Sequence, residues 1–378
     1  MKYDFAVVGS GLFGSVFAYE ATKRNKKVLV IEKRNHIGGN CYTESIDNIN
    51  VHMYGPHIWH TTNKKIHEYM CQFCEFNNFS LRTKVNYKNK IYSFPINLFT
   101  LYQLWDVNTP EQAKSKLNSV KASIDNPKNL EEWILSQVGE EIYETFIKGY
   151  TTKQWGKSPD KLPSSIIRRL PIRLNYNDRF YGDDHIYEGI PIGGYTRIFE
   201  QLLENSEVKL EHDFFEDQKS IENLSDKIIY TGPIDKFFNF NFGNLEYRSL
   251  RFEHKRLNQE DFQGNAIINY TSEDVPWTRI VEHKHFEFAK SSNTVITKEF
   301  PELYNGANEP FYPVNDDINK NILKFYNTEV DKLSKYHFGG RLATYNYYDM
   351  HQVVASALAL VCLLYTSPSP RDRQKSRM

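Results

Sequence analysis

Asp4-Phe-Ala-Val-Val8 runs directly into Gly9-Ser-Gly11-Leu-Phe-Gly14, and Ser15 to Arg24 follows with helical character. Lys27-Val-Leu-Val-Ile-Glu32 is then a second apolar strand that ends on a carboxylate. In a strand–turn–helix of this kind the three glycines make the tight turn, let backbone approach a pyrophosphate, and allow the helix to pack closely. The helix N-terminus offers free N–H groups and a partial positive charge to the phosphates. Glu32 falls roughly 20 residues on, where a carboxylate can accept hydrogen bonds from a ribose. A tight turn between strand and helix would need glycine for its backbone angles in any case. The ordered set of strand, turn, helix, strand and acid favours a dinucleotide site.

After Glu32 come Lys33-Arg34-Asn-His-Ile-Gly38-Gly39-Asn40. This E-x-x-x-x-x-G-G-N run resembles the extended FAD signature of the glutathione-reductase-like flavoproteins, so the dinucleotide read here is FAD, and a plain NAD dehydrogenase is disfavoured. No C-x-x-x-x-C follows it, which argues against a dithiol reductase. No second glycine fingerprint follows a strand, which argues against a separate NADPH domain. Cys71-Gln-Phe-Cys74 has redox or metal spacing on paper. It sits in an amphipathic helical pattern without a second cysteine pair, and a structural zinc needs four ligands, so these read as packed helix thiols and no metal is expected.

The chain has 378 residues with 47 Lys plus Arg and 47 Asp plus Glu, a balance that gives no electrostatic case for nucleic acid or a membrane surface. Its length suggests two or three structural units. No apolar run reaches about 18 residues, and Phe5 to Gly14 already reads as a folded turn rather than a signal peptide. Four cysteines make no disulfide scaffold, so the expected setting is a reducing cytoplasm.

Asn97 to Tyr150 is helical in pattern, with Thr109-Pro110-Glu111 as an N-cap followed by proline and Asn129-Leu-Glu-Glu132 resembling a capping box. From Leu245 to Phe300 the pattern changes to short β-branched and aromatic strands. Thr196 to Leu203 and Lys227 to Gly232 read as a returning helix and strand of the nucleotide unit. The expected fold is therefore α/β, with a discontinuous Rossmann-like FAD domain (residues 1–75, 188–240 and 325–361). A helical insertion (97–165) and an antiparallel sheet domain (76–96, 166–187 and 241–324) complete it. Residues 362–378 hold two prolines and a basic bias, resemble a translated library adaptor, and are expected to lie outside the native fold.

Taken together, several further segments resemble the bacterial UDP-galactopyranose mutase family. They include Tyr54-Gly-Pro-His57-Ile-Trp-His60, Ile147-Lys-Gly-Tyr150-Thr-Thr-Lys-Gln-Trp155-Gly and Gly189-Ile-Pro-Ile-Gly-Gly-Tyr195. Tyr230-Thr-Gly-Pro233, Pro276-Trp-Thr-Arg279, Glu309-Pro-Phe-Tyr312 and Phe338-Gly-Gly-Arg341 through Tyr347-Tyr-Asp349 continue the series. The resemblance spans Lys2 to about Val361. It implies interconversion of UDP-galactopyranose and UDP-galactofuranose without net redox. In the family, N5 of reduced FAD attacks the anomeric carbon, UDP leaves, and the flavin–sugar adduct opens as an iminium before the ring recloses in its other size.

By position in these motifs, the resemblance makes Arg169 and Arg279 the diphosphate pair, with Tyr312 and Tyr347 donating to phosphate. Phe146, Tyr150 and Thr151 match the uridine segment, and Trp155 lies on a loop that closes over the sugar. Asn269 and Glu299 fall near the same pocket. His57, Ile58 and His60 lie beside the isoalloxazine, with His60 counted among the catalytic groups. Gly9, Gly11, Phe13, Gly14, Glu32, Lys33, Gly39 and Asn40 hold the cofactor from the N-terminal side. Arg341 compensates the reduced ring, while Asp349, Met350 and Val353 open the last helix beneath it. The family more often has Tyr-Phe where this chain has Phe180-Tyr181, so neither of these is assigned. The resemblance further implies a homodimer, a reductant such as NAD(P)H or a flavin electron-transfer system, and a part in cell-surface polysaccharide synthesis. The rival readings are an FAD-dependent amine or polyene oxidase and a non-catalytic, flavin-bound nucleotide-sugar binder.

Overall fold

Tyr3–Val8 and Val28–Ile31 lie side by side within a five-stranded parallel sheet of order 336–338, 225–230, 3–8, 28–31, 207–209. The computed structural model describes residues 2–167, 171–182 and 184–366. Side chains on these strands alternate between two buried layers. Phe5, Val7, Val28 and Val30 meet the helices Leu12–Thr22, Thr196–Leu203 and Met350–Thr366 on one face. Ala6, Leu29, Ile31 and Ile228 pack with Phe214, Ile221 and Tyr336 on the other. Coverage of both faces explains why the strands read as unbroken apolar runs.

The second sheet has the strand order 312–313, 247–257, 294–303, 279–282, 267–270, 84–87, 90–93 among the described residues. An antiparallel sheet was the expectation, and one join departs from it: Ile267–Tyr270 pairs in parallel with Lys84–Tyr87. A hairpin forces antiparallel neighbours, but these two strands are separated by the whole helical insertion, and a long crossover permits either direction.

The insertion begins at Asn97, whose side chain accepts from the Phe99 and Thr100 amides, while Thr100 Oγ1 accepts from the Asn97 amide. Thr109 forms a similar capping box with Gln112 ahead of Pro110, and Asn129 Oδ1 accepts from the Glu132 amide. Capping satisfies N–H groups that a helix start leaves orphaned. Leu101, Leu117, Leu130, Ile134 and Tyr143 form this unit's own core. Tyr143–Lys148 is wound as a π-helix and continues into the α-helix Gly149–Trp155, which we call the site helix.

Two expectations about segment ends are corrected. The last helix does not stop near Val361 but runs from Met350 to Thr366, with Leu364 and Tyr365 packed on the first core, because the apolar pattern of Val361 to Tyr365 continues its buried face. Residues 367–378 of the expected tail lie outside the described residues. Cys71 and Cys74 lie in the turn after the helix Lys64–Met70 rather than within it; Cys71 is exposed, and only Cys74 packs on the core. No helix among the described residues is long and apolar enough to cross a membrane.

Candidate active site

The glycine cleft is built from backbone that leaves no room for a side chain at Gly9, Gly14 or Gly39. Gly9 has φ +101°, and a Cβ there would lie 2.2 Å from Thr231 Oγ1. One on Gly39 (φ +55°) would lie 2.9 Å from Gly11 Cα, so the two glycine turns rest directly against each other. Gly11 caps the helix Leu12–Thr22 without any side-chain hydrogen bond, which leaves the first-turn amides to a ligand. Glu32 holds the turn as well as lining the cleft: its Oε2 accepts from the Ser10 amide at 2.9 Å and Ser10 Oγ at 2.8 Å, and Oε1 from the Arg34 amide at 3.0 Å. Lys33 pairs with Glu309, and Asn40 accepts from Arg34 Nη2. Phe13 packs beneath Gly339 and Gly340, where a Cβ on Gly339 would meet its ring at 2.0 Å.

Towards its far end the cleft is lined by His57, Arg341, Met350 and Val353. Arg341 donates through Nη2 to the Phe311 carbonyl, while its buried Nε has no partner. These donors, the cradle of glycines and the open helix start fit a dinucleotide with an anionic ring system. His57 binds the Gly55 carbonyl through Nδ1, and burial pushes its pKa down to about 4, helped by Arg341 and Arg279. His60 is also pushed to about 4 by burial, with Asp349 opposing. Its ring stacks on Tyr181 at 3.6 Å, its Nδ1 lies 3.0 Å from His185 Nδ1, and its Nε2 is 4.0 Å from Asp349. Ile58 points elsewhere, into a cluster with Phe79, Leu81 and Ile190.

Beyond His57 lies a row made by strand register. Asn269 pairs with Arg279, and Arg279 pairs with Glu299, so three residues from three strands stand abreast on one face of the second sheet. Glu299 is 1% exposed and accepts from Arg279 Nε. Burial raises the Glu299 pKa with Arg279 opposing; burial also works against the Arg279 charge, but Glu299 and its neighbours raise that pKa overall. The Tyr150 hydroxyl is raised by burial and feels both Arg279 and Glu299, which brings the site helix to this row. Tyr312 and Tyr347 lie 5.6 Å apart with the Arg341 guanidinium over both rings, and burial raises the Tyr312 pKa.

Two assignments change character. Phe146 is 3% exposed and packs on Tyr92 and Phe94, so it supports the site helix and presents no face to a base. Trp155 is the last residue of that helix, not a loop residue; the chain turns after it at Gly156, φ +64°. Thr151, beside Tyr150, is buried. Arg169 lies outside the described residues. Tyr181 went unassigned, yet besides stacking on His60 its hydroxyl feels Asp349, Tyr347 and Arg279. The altered Phe-Tyr order was the only hint of it in the sequence.

Residues 145–347 match the family described as UDP-galactopyranose mutase, and residues 7–73 match a family of NAD(P)-binding Rossmann-like domains. A dTDP-fucopyranose mutase of Escherichia coli is 37% identical over 362 residues, covering 93% of this chain and 96% of the relative. The chain belongs to the UDP-galactopyranose mutase family. A probable UDP-galactopyranose mutase of Klebsiella pneumoniae is also 37% identical over 362 residues, covering 94% of this chain and 93% of that one. A crystal structure of a reduced UDP-galactopyranose mutase superposes with TM-score 0.74 at 14% identity, over 97% of this chain and 94% of that one, and shows the shared mutase fold.

Proposed function

We propose that this chain is an isomerase that interconverts UDP-galactopyranose and UDP-galactofuranose, with FAD in the glycine cleft. The observation that carries the reading is Arg279, a half-buried guanidinium gripped at Nε by Glu299 beside the cleft. A departing nucleotide diphosphate needs such a fixed planar cation, and Nη1 and Nη2 are the groups it would meet. Arg169 would be the second cation of the pair. Reduced FAD, when bound, supplies nucleophilic chemistry at the sugar's anomeric carbon without net redox.

The protein's own groups do the rest. Burial keeps the Tyr312 phenol protonated, so it donates to phosphate, with Tyr347 alongside. Tyr150 and Thr151 place the base, and Trp155 covers the sugar from the end of the site helix. Asn269 stands next to Arg279 to orient the substrate. His57 and His60 remain neutral at pH 7, so the cationic charge beside the ring rests on Arg341. The reading carries with it a cytoplasmic homodimer, a reductant such as NAD(P)H or an electron-transfer flavin, and a product destined for cell-surface polysaccharide.

A second reading, a dTDP-fucopyranose mutase, is favoured by the equally similar Escherichia coli relative. One assay tests both. Purified protein is incubated with UDP-galactofuranose or dTDP-fucofuranose, with and without dithionite, and the nucleotide sugars are chromatographed. Catalytic conversion of the UDP sugar under reduction alone is the expected result. Faster conversion of the dTDP sugar moves the assignment to the second reading. No conversion of either, with reduced FAD bound, overturns mutase activity.

A further inference from the structure

Lys153 lies on the site helix between Thr151 and Trp155, and its ammonium hydrogen-bonds to backbone carbonyls. Its Nζ donates to four backbone carbonyls: Tyr270 at 2.9 Å, Ser272 at 2.7 Å, Val275 at 3.1 Å and Trp277 at 3.0 Å. Tyr270 ends the strand Ile267–Tyr270, and the other three lie in its connection to the strand Arg279–Glu282. An ammonium has three N–H groups, so a cage of four oxygens occupies it fully and turns a loop of otherwise outward-seeking carbonyls in upon one point. The first of these carbonyls follows Asn269 directly, and the last lies two residues before Arg279. The same ammonium therefore sits at the closed end of the hairpin that presents both residues.

Other contacts show that this junction is tight. A Cβ on Gly149 would lie 2.2 Å from the Thr271 carbonyl, and Thr271 Oγ1 donates to the Thr145 carbonyl at 2.6 Å. On its other side the site helix is held by the buried Arg248, whose Nε donates to the Gln154 carbonyl and Nη2 to that of Lys153. Arg248 stands opposite Tyr312 in strand register. The helix bearing Tyr150 and Trp155 is thus held by one cation of its own and one from the sheet. Burial lowers the Lys153 pKa to about 8, with Asp274 and Glu273 opposing, so holding the ammonium here has a cost that a surface lysine would not bear.

We propose that Lys153 is a positioning residue for the nucleotide diphosphate: its ammonium fixes the 270–277 connection to the site helix and so sets the span between Tyr150 and Arg279. This rests on the mutase reading of the site. The role is distinct from contact with substrate, since the cage leaves the ammonium no donor to spare.

The test uses the flavin-loaded full chain and UDP as the probe, titrated calorimetrically, so that it is read without turnover. Lys153→Met keeps the length of the stem and removes the charge. Flavin content is expected to stay at the wild-type level while UDP binding weakens at least tenfold, with KM for UDP-galactofuranose rising by a similar factor and kcat changing less than threefold. Lys153→Ala should lose UDP affinity likewise and recover at least fivefold of it with n-propylammonium, which refills the cage, but not with propanol or sodium chloride at the same concentration. UDP affinity within twofold of wild type in both variants overturns the proposal. So does an affinity loss that propylammonium does not restore, or loss of flavin in both variants, because either gives Lys153 a purely structural role. A wild-type protein that binds UDP but converts no sugar fails the mutase reading alone, and one that does not bind UDP fails both.

Discussion

The glycine cleft and the arginine row are built in opposite ways. The glycine turns of the cleft are backbone from nearby stretches of chain, Gly9 to Gly14 and Gly38 to Asn40, and their specificity lies in missing side chains. The row is side chains from distant stretches, Asn269, Arg279 and Glu299, and its geometry exists only because three strands pair in one register. The first kind of site survives most surface change but not one added methyl group. The second tolerates change along each strand but fails when one buried charge loses its partner.

That contrast can be broken by experiment. The largest effect is expected at the row: Arg279→Ala should lower turnover of the reduced enzyme on the order of a hundredfold or more, with flavin absorbance per protein unchanged. Loss of flavin with it would mean that row and cleft are one unit. Next comes the cleft. A Cβ on Gly14 would lie 2.1 Å from the Gly9 carbonyl, and overpacking of this kind costs about 1–3 kcal/mol. Gly14→Ala should therefore weaken FAD binding by roughly 5- to 150-fold, read as flavin retained after gel filtration. Activity should return when excess FAD is supplied, whereas Arg279→Ala should not respond to it.

The smallest effect sharpens the boundary between the two, where His57 stands. Burial lowers its pKa from 6.5 to about 4, so the unfolded chain binds more protons than the folded one between those values. Stability is then complete above pH 6.5 and is lost as pH falls towards 4, with a slope of up to about 1.4 kcal/mol per pH unit from this one group. His57→Asn should flatten the decline of melting temperature over that window. An unchanged slope would show that His57 is not held neutral.

Legibility followed the same division. Strand, turn, helix and acid at the N-terminus could be read because each element depends on its own few residues, and the caps at Thr109 and Asn129 for the same reason. The row residues were reached through family motifs, since nothing in the local pattern at 269, 279 or 299 distinguishes them from other strand positions. Phe146 and Trp155 show where motifs mislead about surroundings: the π-helical turn directs Phe146 into the core, and the site helix extends through Trp155. Tyr181 was hinted at only by the altered Phe-Tyr order, and Lys153 was silent. A lysine in a polar helical run looks solvated, and only the folded hairpin supplies four carbonyls to it.

Read alone, the chain's residues specified a nucleotide-binding α/β unit, the starts of its helices and the class of its cofactor, because such features rest on short-range sterics and hydrogen bonding. Folding in three dimensions decided which charges are buried together, which aromatic rings are left uncovered, and that one sheet joins two of its strands in parallel. Those outcomes depend on register and packing between segments up to some hundreds of residues apart, and no local pattern encodes a distance.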